Sequence, residues 1–191
     1  GPHDGADPTP RQETHEGITV CAFGGAFAGT SIDIGTRLLL AHLPAPTERS
    51  VIDMACGTGV VAASWATRHP HARVIASDQS AIAVASAKAT VAANGVAGRV
   101  EVVRDDMLGA QPDRSASLIA LNPPFHSGAA VTGRIAPLMF ADAARVLAPG
   151  GELWTVWNSS LGYRAALERI VGPTRQIARN AKFTVTASTR R

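Results

Sequence analysis

From residue 51 onward the chain alternates short apolar runs with longer, Ala-rich stretches. The apolar runs predict strands at 51–55, 73–78, 100–104, 117–122 and 152–158, followed by two final strands, one near Ile177 and one over 182–187. Between the second and third strands, 80–93 reads as a helix with Ser80 as its N-cap, stopped by Asn94-Gly95. Between the fourth and fifth, 131–147 is mainly helical. Pro137 there marks a kink or the true start, and Ala148-Pro149-Gly150-Gly151 ends the helix. A further helix is expected over 163–170, and one over 31–43, capped by Thr30 or Ser31 and burying Leu38, Leu39 and Leu40.

Strands alternating with helices predict a parallel sheet covered by helices on both faces. The expected fold class is therefore α/β: a Rossmann-like, doubly wound, mostly parallel seven-stranded sheet. Before this region, 1–16 is Pro-, Asp- and Thr-rich and reads as a disordered lead or linker. An apolar run, 18–23, and a Gly/Ala loop, 24–29, open a single domain over 17–191. Gly1-Pro2-His3 resembles a protease-cleavage scar, which predicts that the chain was cut from something longer.

Composition adds little to the fold and something to the chemistry. With 191 residues, 46 % of them apolar, one core of ordinary size is expected. No run of about 18 apolar residues free of charge occurs, which predicts a soluble protein with no membrane role. Cys21 and Cys56 lie outside any metal-ligand spacing, so no metal is expected and a reducing cytoplasm is. Charge is uneven: 161–191 carries seven Arg or Lys against one Glu, whereas 1–30 holds four acids and one Arg. A basic C-terminal region suits a polyanion such as RNA, and equally an ordinary solvated surface.

The strand 51–55 runs into Cys56-Gly57-Thr58-Gly59 and then a helix start. Glycines in such a turn let the backbone approach a ligand closely. Asp78 ends the second strand nineteen residues after Gly59, where an acid can bond both hydroxyls of a ribose. Ala62 stands at the third glycine position of the dinucleotide pattern, so NAD remains open at this point.

With Asp53 two residues into its strand ahead of Ala55-Cys56-Gly57-Thr58-Gly59, the sequence resembles the class I S-adenosylmethionine-dependent methyltransferases. The resemblance implies S-adenosylmethionine as cofactor. Asp53, Ala55, Cys56, Gly57 and Gly59 would line its amino-acid end, Asp78 and Gln79 its ribose, and Asp106 with Met107 its adenine. Asp105 competes with Asp106 for the last role, and either could cap the next turn.

Asn122-Pro123-Pro124-Phe125-His126 follows the fourth strand, at the edge where open α/β sheets bind ligands. Two prolines stiffen the loop, so that the Asn122 side-chain oxygen and the Pro123 carbonyl become fixed acceptors, with the Phe125 ring beside them. A planar amine needs this arrangement. Its lone pair is delocalised, and two acceptors on its N–H groups orient it towards a methyl donor, while an aromatic ring stacks on a base for roughly 1 to 3 kcal/mol. By resemblance, Asn-Pro-Pro-aromatic marks methylation of adenine N6, guanine N2 or a glutamine amide, with Asn122, Pro123 and Phe125 as catalytic residues.

The stretch Phe27-Ala28-Gly29-Thr30-Ser31-Ile32-Asp33-Ile34-Gly35-Thr36-Arg37, His126 after the aromatic, the run from Ala148 to Asn158 and Arg179-Asn180-Ala181-Lys182-Phe183 are similar to bacterial ribosomal RNA guanine-N2-methyltransferases. The resemblance implies ribosomal RNA or a ribosomal subunit as partner and a further N-terminal domain outside this sequence; a monomer is expected. It also implies that Asp33, Gly35 and Thr36 help close the cofactor pocket, although locally they read equally well as a first helical turn. Pro124 and His126 are expected near the base, with Arg164, Arg175, Arg179 and Lys182 as phosphate contacts. Trp154 and Trp157 fit an aromatic platform or, in their apolar strand, the core. Another planar nitrogen, a small-molecule substrate and a catalytically silent RNA-binding module are the competing functions.

Overall fold

The computed structural model describes residues 9–24, 26, 29–46, 50–124 and 129–191, the last of these with backbone only over 129–132. Two strands, β1 (Arg11–His15) and β2 (Ile18–Ala22), form an antiparallel hairpin. Helix α1 (Ile34–His42) follows, and then β3 (Ser50–Met54), α2 (Val60–Arg68), β4 (Val74–Asp78), α3 (Ala81–Ala93), β5 (Val100–Arg104) and β6 (Ala116–Leu121). The chain continues as α4 (Ala129–Val146), β7 (Leu147–Asn158), α5 (Arg164–Ile170), β8 (Thr174–Arg179) and β9 (Phe183–Thr189). The main sheet has seven strands in the order β5-β4-β3-β6-β7-β9-β8, parallel up to β7 and antiparallel at β9 and β8. The doubly wound seven-stranded α/β fold is as the alternation predicts.

Successive strand residues point to opposite faces, and both faces are covered. Val51, Leu118 and Ala120 pack with Leu39, Val61, Trp65 and Val91 under α1, α2 and α3. Their neighbours Ile52, Ile119 and Leu121 pack with Phe140, Leu147 and Leu167 under α4 and α5. Burial on both sides is why these strands read as continuous apolar runs. Trp154 and Trp157 are both buried, one in each cluster, so the core reading of the two tryptophans holds.

Three local expectations are corrected. The lead 1–16 is not wholly irregular, because 11–15 forms β1; its side chains stay largely exposed, and backbone pairing with β2, with side-chain bonds from Glu13, Thr14 and His15, orders it. Helix α1 begins later than predicted, with Asp33 rather than Thr30 or Ser31 as N-cap, its carboxylate accepting from the Thr36 N–H at 2.7 Å. Strand β7 starts at Leu147 instead of residue 152, since Leu147 already pairs with Ala116 of β6 across a register shift. Pro137 lies inside α4, while Ser80 caps α3 as expected.

One outer edge of β2 pairs with side chains instead of a strand. Asn94 accepts from Thr19 N at 3.0 Å and donates to Thr19 O at 2.7 Å. Thr90 Oγ1 likewise accepts from Cys21 N and donates to Cys21 O, and Ser86 Oγ accepts from Phe23 N. Residues 86, 90 and 94 are one α-helical step of four apart, about 6 Å, and residues 19, 21 and 23 are two strand steps apart, about 6.6 Å. The two spacings match, so α3 grips the β2 strand three times in register, at Thr19, Cys21 and Phe23.

Candidate active site

The sheet reverses direction of winding between β3 and β6, whose ends are level: Met54 lies beside Leu121. Ligands of open α/β sheets bind in the crevice beyond such a switch point. After β3 the chain turns sharply through three left-handed residues, Ala55 (φ 54°), Gly57 (φ 54°) and Gly59 (φ 79°). A non-glycine residue held there costs on the order of 1 to 3 kcal/mol and persists where the surroundings impose it. The two glycines serve different ends. A Cβ on Gly59 would lie 3.0 Å from Ala87 Cβ, so that glycine lets α2 pack on α3, whereas a Cβ on Gly57 would meet no atom of the described residues within 4 Å and would point into open space.

Asp53 sits behind this turn, 4 % exposed, and accepts from the Ala62 N–H at 3.0 Å under the start of α2. Burial pushes its carboxyl from the ordinary 3.8 up to about 7; the Ala62 bond opposes that, and the charge of Asp78 adds to it. Burial, together with Asp53 and Asp78, also holds the Cys56 thiol well above its usual range, so Cys56 is a small neutral group and not a nucleophile. Asp78 bridges the turn and the next helix: its two oxygens accept from Gly57 N and Ser80 N, each at 2.9 Å. Each oxygen keeps one further acceptor position. Gln79 beside it is exposed, its carbonyl held by Arg104 Nε.

Beyond β5 the two competing acids separate. Asp105 closes its own turn, accepting from Ala110 N at 2.8 Å, while the Asp106 side chain is exposed. Met107 (φ 52°) has its carbonyl bonded by Ser77 Oγ. The next residue, Leu108, donates its N–H to Asp142 Oδ2 at 2.8 Å, and its carbonyl accepts from Arg145 Nη2 at 2.8 Å. A groove of about 410 Å³ opens here, lined by Asp106, Met107, Leu138, Asp142 and Arg145 among others.

Asn122 leaves β6 where the buried Thr155 hydroxyl donates to the preceding carbonyl, Leu121 O, at 2.8 Å. Its Nδ2 donates to Thr36 Oγ1 at 2.9 Å across 86 positions of sequence. Pro123 is buried and Pro124 half-buried, whereas Phe125 and His126 lie outside the described residues. Asn122, Thr36, Asp33, the glycine turn, Asp78 and Asp106 therefore gather at one edge of the sheet.

A family model, the methyltransferase small domain, matches residues 17–187. The chain belongs to that family. A ribosomal RNA large subunit methyltransferase G from Streptomyces coelicolor is 47 % identical over 170 residues, 88 % of this chain and 45 % of the relative. Its namesake from Shewanella amazonensis is 44 % identical over 171 residues, 88 % of this chain and 45 % of the relative. Among solved structures, that of the T. thermophilus 16S rRNA N2 G1207 methyltransferase in complex with AdoMet and guanosine is similar at a TM-score of 0.82 and 25 % identity, covering 95 % of this chain and 50 % of the other. The chain thus spans about half the length of the curated relatives it matches.

Within this methyltransferase domain the cations singled out by sequence part company. Strand β8 returns antiparallel to β9, so Arg179 and Lys182 lie at the edge that bears Asn122, level with the end of β7 at Asn158. Lys182 stands 5.4 Å above the Phe183 ring. Arg164 lies at the opposite edge, donating to Thr174 O at 3.0 Å and facing Glu168. Arg175 is taken up by Glu152 and the Trp154 ring. Sequence reasoning missed Thr155, Asp142 and Arg145; the pair three apart on α4 (Asp142, Arg145) was the available signal for the last two.

Proposed function

We propose that this domain methylates the exocyclic N2 amine of a guanine in ribosomal RNA, with S-adenosylmethionine as donor. The observation that carries the reading is the Asn122 amide, which stands beside the switch point of the sheet with Nδ2 donating to Thr36, an arrangement that leaves Oδ1 to accept a substrate N–H. The residues present suit the cofactor. Gly57 offers a turn with open space before it, Asp78 has acceptor positions left for ribose hydroxyls, and Asp106 keeps an exposed carboxylate for the adenine amine. Ala55, Cys56, Gly59, Gln79 and Met107 complete that lining, with Asp33 and Gly35 shaping its far wall.

Bound S-adenosylmethionine supplies an electrophilic methyl group on a sulfonium. Asn122 Oδ1 and the Pro123 carbonyl would accept the two N–H groups of the amine and aim its lone pair at the methyl carbon; as the N–C bond forms the methyl–sulfur bond breaks, its electron pair staying with the departing thioether, and one N–H proton passes to solvent, the positioned acceptors supplying the stabilisation. Phe125 and His126, which the resemblance assigns to the base together with Pro124, follow this acceptor pair in sequence. Arg179 and Lys182 meet RNA phosphates on the same edge, and Arg164 is set aside because it lies at the other. A guanine in structured RNA must be flipped out, costing a few kcal/mol. Greater identity to the large-subunit enzymes, 47 % and 44 % against 25 %, favours the large subunit as target and hence the cytoplasm.

The test is methyl transfer from radiolabelled S-adenosylmethionine to large- and small-subunit ribosomal RNA from a strain lacking the gene, followed by nucleoside analysis. N2-methylguanosine in large-subunit RNA is the expected product. N6-methyladenosine, or label found only on protein, overturns the assignment.

A further inference from the structure

We propose that Thr36 is a positioning residue for methyl transfer, holding the plane of the Asn122 side-chain amide with Nδ2 on its hydroxyl and Oδ1 left to the substrate. The proposal rests on the methyltransferase reading above and assigns Thr36 to the reaction centre instead of the cofactor pocket. The terminal torsion of an asparagine is broad and roughly two-fold, so an unanchored amide exchanges its acceptor and donor ends readily. An amine substrate brings two N–H donors. Only the oxygen end can bond it, and a reversed amide faces donor with donor and leaves the substrate amine unpaired.

Thr36 supplies the anchor. Its hydroxyl oxygen receives Asn122 Nδ2 at 2.9 Å, and its own N–H is bonded by Asp33 Oδ1 at 2.7 Å, which fixes the residue in the first turn of α1. That turn is pressed against the sheet: a Cβ on Gly35 would lie 3.2 Å from the Phe183 ring, tighter than an ordinary contact, so glycine eases this close approach of α1. From the other side, Thr155 holds the carbonyl of Leu121, the residue before Asn122. Asn122 is thereby fixed at its backbone by β7 and at its side chain by α1. The two anchors come from elements that the β6 segment does not contain, so the orientation is a product of the assembled domain.

The experiment compares the parent with Thr36→Val, which keeps the shape and loses the acceptor, and with Thr36→Ser, which restores it. Three quantities are read: kcat and KM on ribosomal RNA, the Kd for S-adenosylhomocysteine by calorimetry, and the Asn122 side-chain amide signals in 1H–15N spectra, assigned by their loss in Asn122→Ala. Thr36→Val should lower kcat about ten-fold, equivalent to roughly 1.4 kcal/mol of barrier, leave the Kd unchanged, and shift the Asn122 amide protons upfield. Thr36→Ser should recover all three parent values. A weaker Kd at unchanged kcat, or amide signals that do not move in Thr36→Val, overturns the proposal. If the parent methylates no RNA, the functional reading falls, and the amide signals still decide the role of Thr36.

Discussion

The buried acid Asp53 makes the stability of this domain depend on pH in a way that a single substitution should abolish. Its carboxyl is fully enclosed and raised from 3.8 to about 7 by burial, against the pull of the Ala62 N–H and with a push from Asp78. Because the folded value lies above the unfolded one, the stabilising contribution is complete below about pH 4 and is lost as pH rises through 7. In the unfolded chain the acid ionises freely over that interval, while in the folded chain it stays protonated. Three pH units at about 1.4 kcal/mol each give a loss on the order of 4 kcal/mol, about 3 of it between pH 4.5 and pH 8. Asp53→Asn keeps an oxygen for the Ala62 N–H and removes the ionisation. In urea unfolding the margin of the variant over the parent should grow by about 3 kcal/mol between pH 4.5 and pH 8, a change in the Tm gap of about 6 to 12 °C. Contributions from other titrating groups cancel in the difference between the two proteins. A difference that stays flat from pH 4.5 to pH 8 would falsify the reasoning, since it would mean that Asp53 is ionised in the folded domain throughout.

Three further outcomes are expected. Asn94→Ala removes the side chain that bonds both Thr19 N and Thr19 O, and should cost about 2 kcal/mol in urea unfolding; no measurable loss would show that the α3 ladder does not hold β2. Gly57→Ala and Gly59→Ala should diverge, the first weakening S-adenosylhomocysteine binding by calorimetry more than it lowers Tm, the second doing the reverse, because only the second drives a Cβ into Ala87. Equal effects of both on Tm would contradict that division. In anisotropy titrations of a ribosomal RNA fragment at several salt concentrations, Arg179→Ala should reduce the salt slope by about 1, and Arg164→Ala, at the far edge of the sheet, should leave it unchanged. The opposite pattern would place the RNA face elsewhere.

The strand and helix order from residue 51, the glycine turn, the Ser80 cap and the place of Asn122 at a strand end were all legible in the sequence. Each is written in a local signal: an apolar run, a pair of glycines, a short polar residue before a helix, a proline pair after a strand. What sequence left open depended on which distant segments meet. Thr30, Ser31 and Asp33 are all competent caps, and the docking of Gly35 on Phe183 places the start of α1 at the last of them. Arg11–His15 carries no apolar pattern of its own, and the backbone of β2 makes it a strand. Arg164 and Arg179 look alike in a basic C-terminal stretch, but the antiparallel return of β8 along β9 puts them at opposite edges. The same holds at the candidate site. Asn122 stands out in the sequence, but its contact with Thr36, 86 positions away, arises only once the sheet and α1 have closed. Local patterns determine periodicity and caps because their free energies arise within a few residues. Orientation at the site is set by hydrogen bonds between elements that become neighbours only in the folded chain.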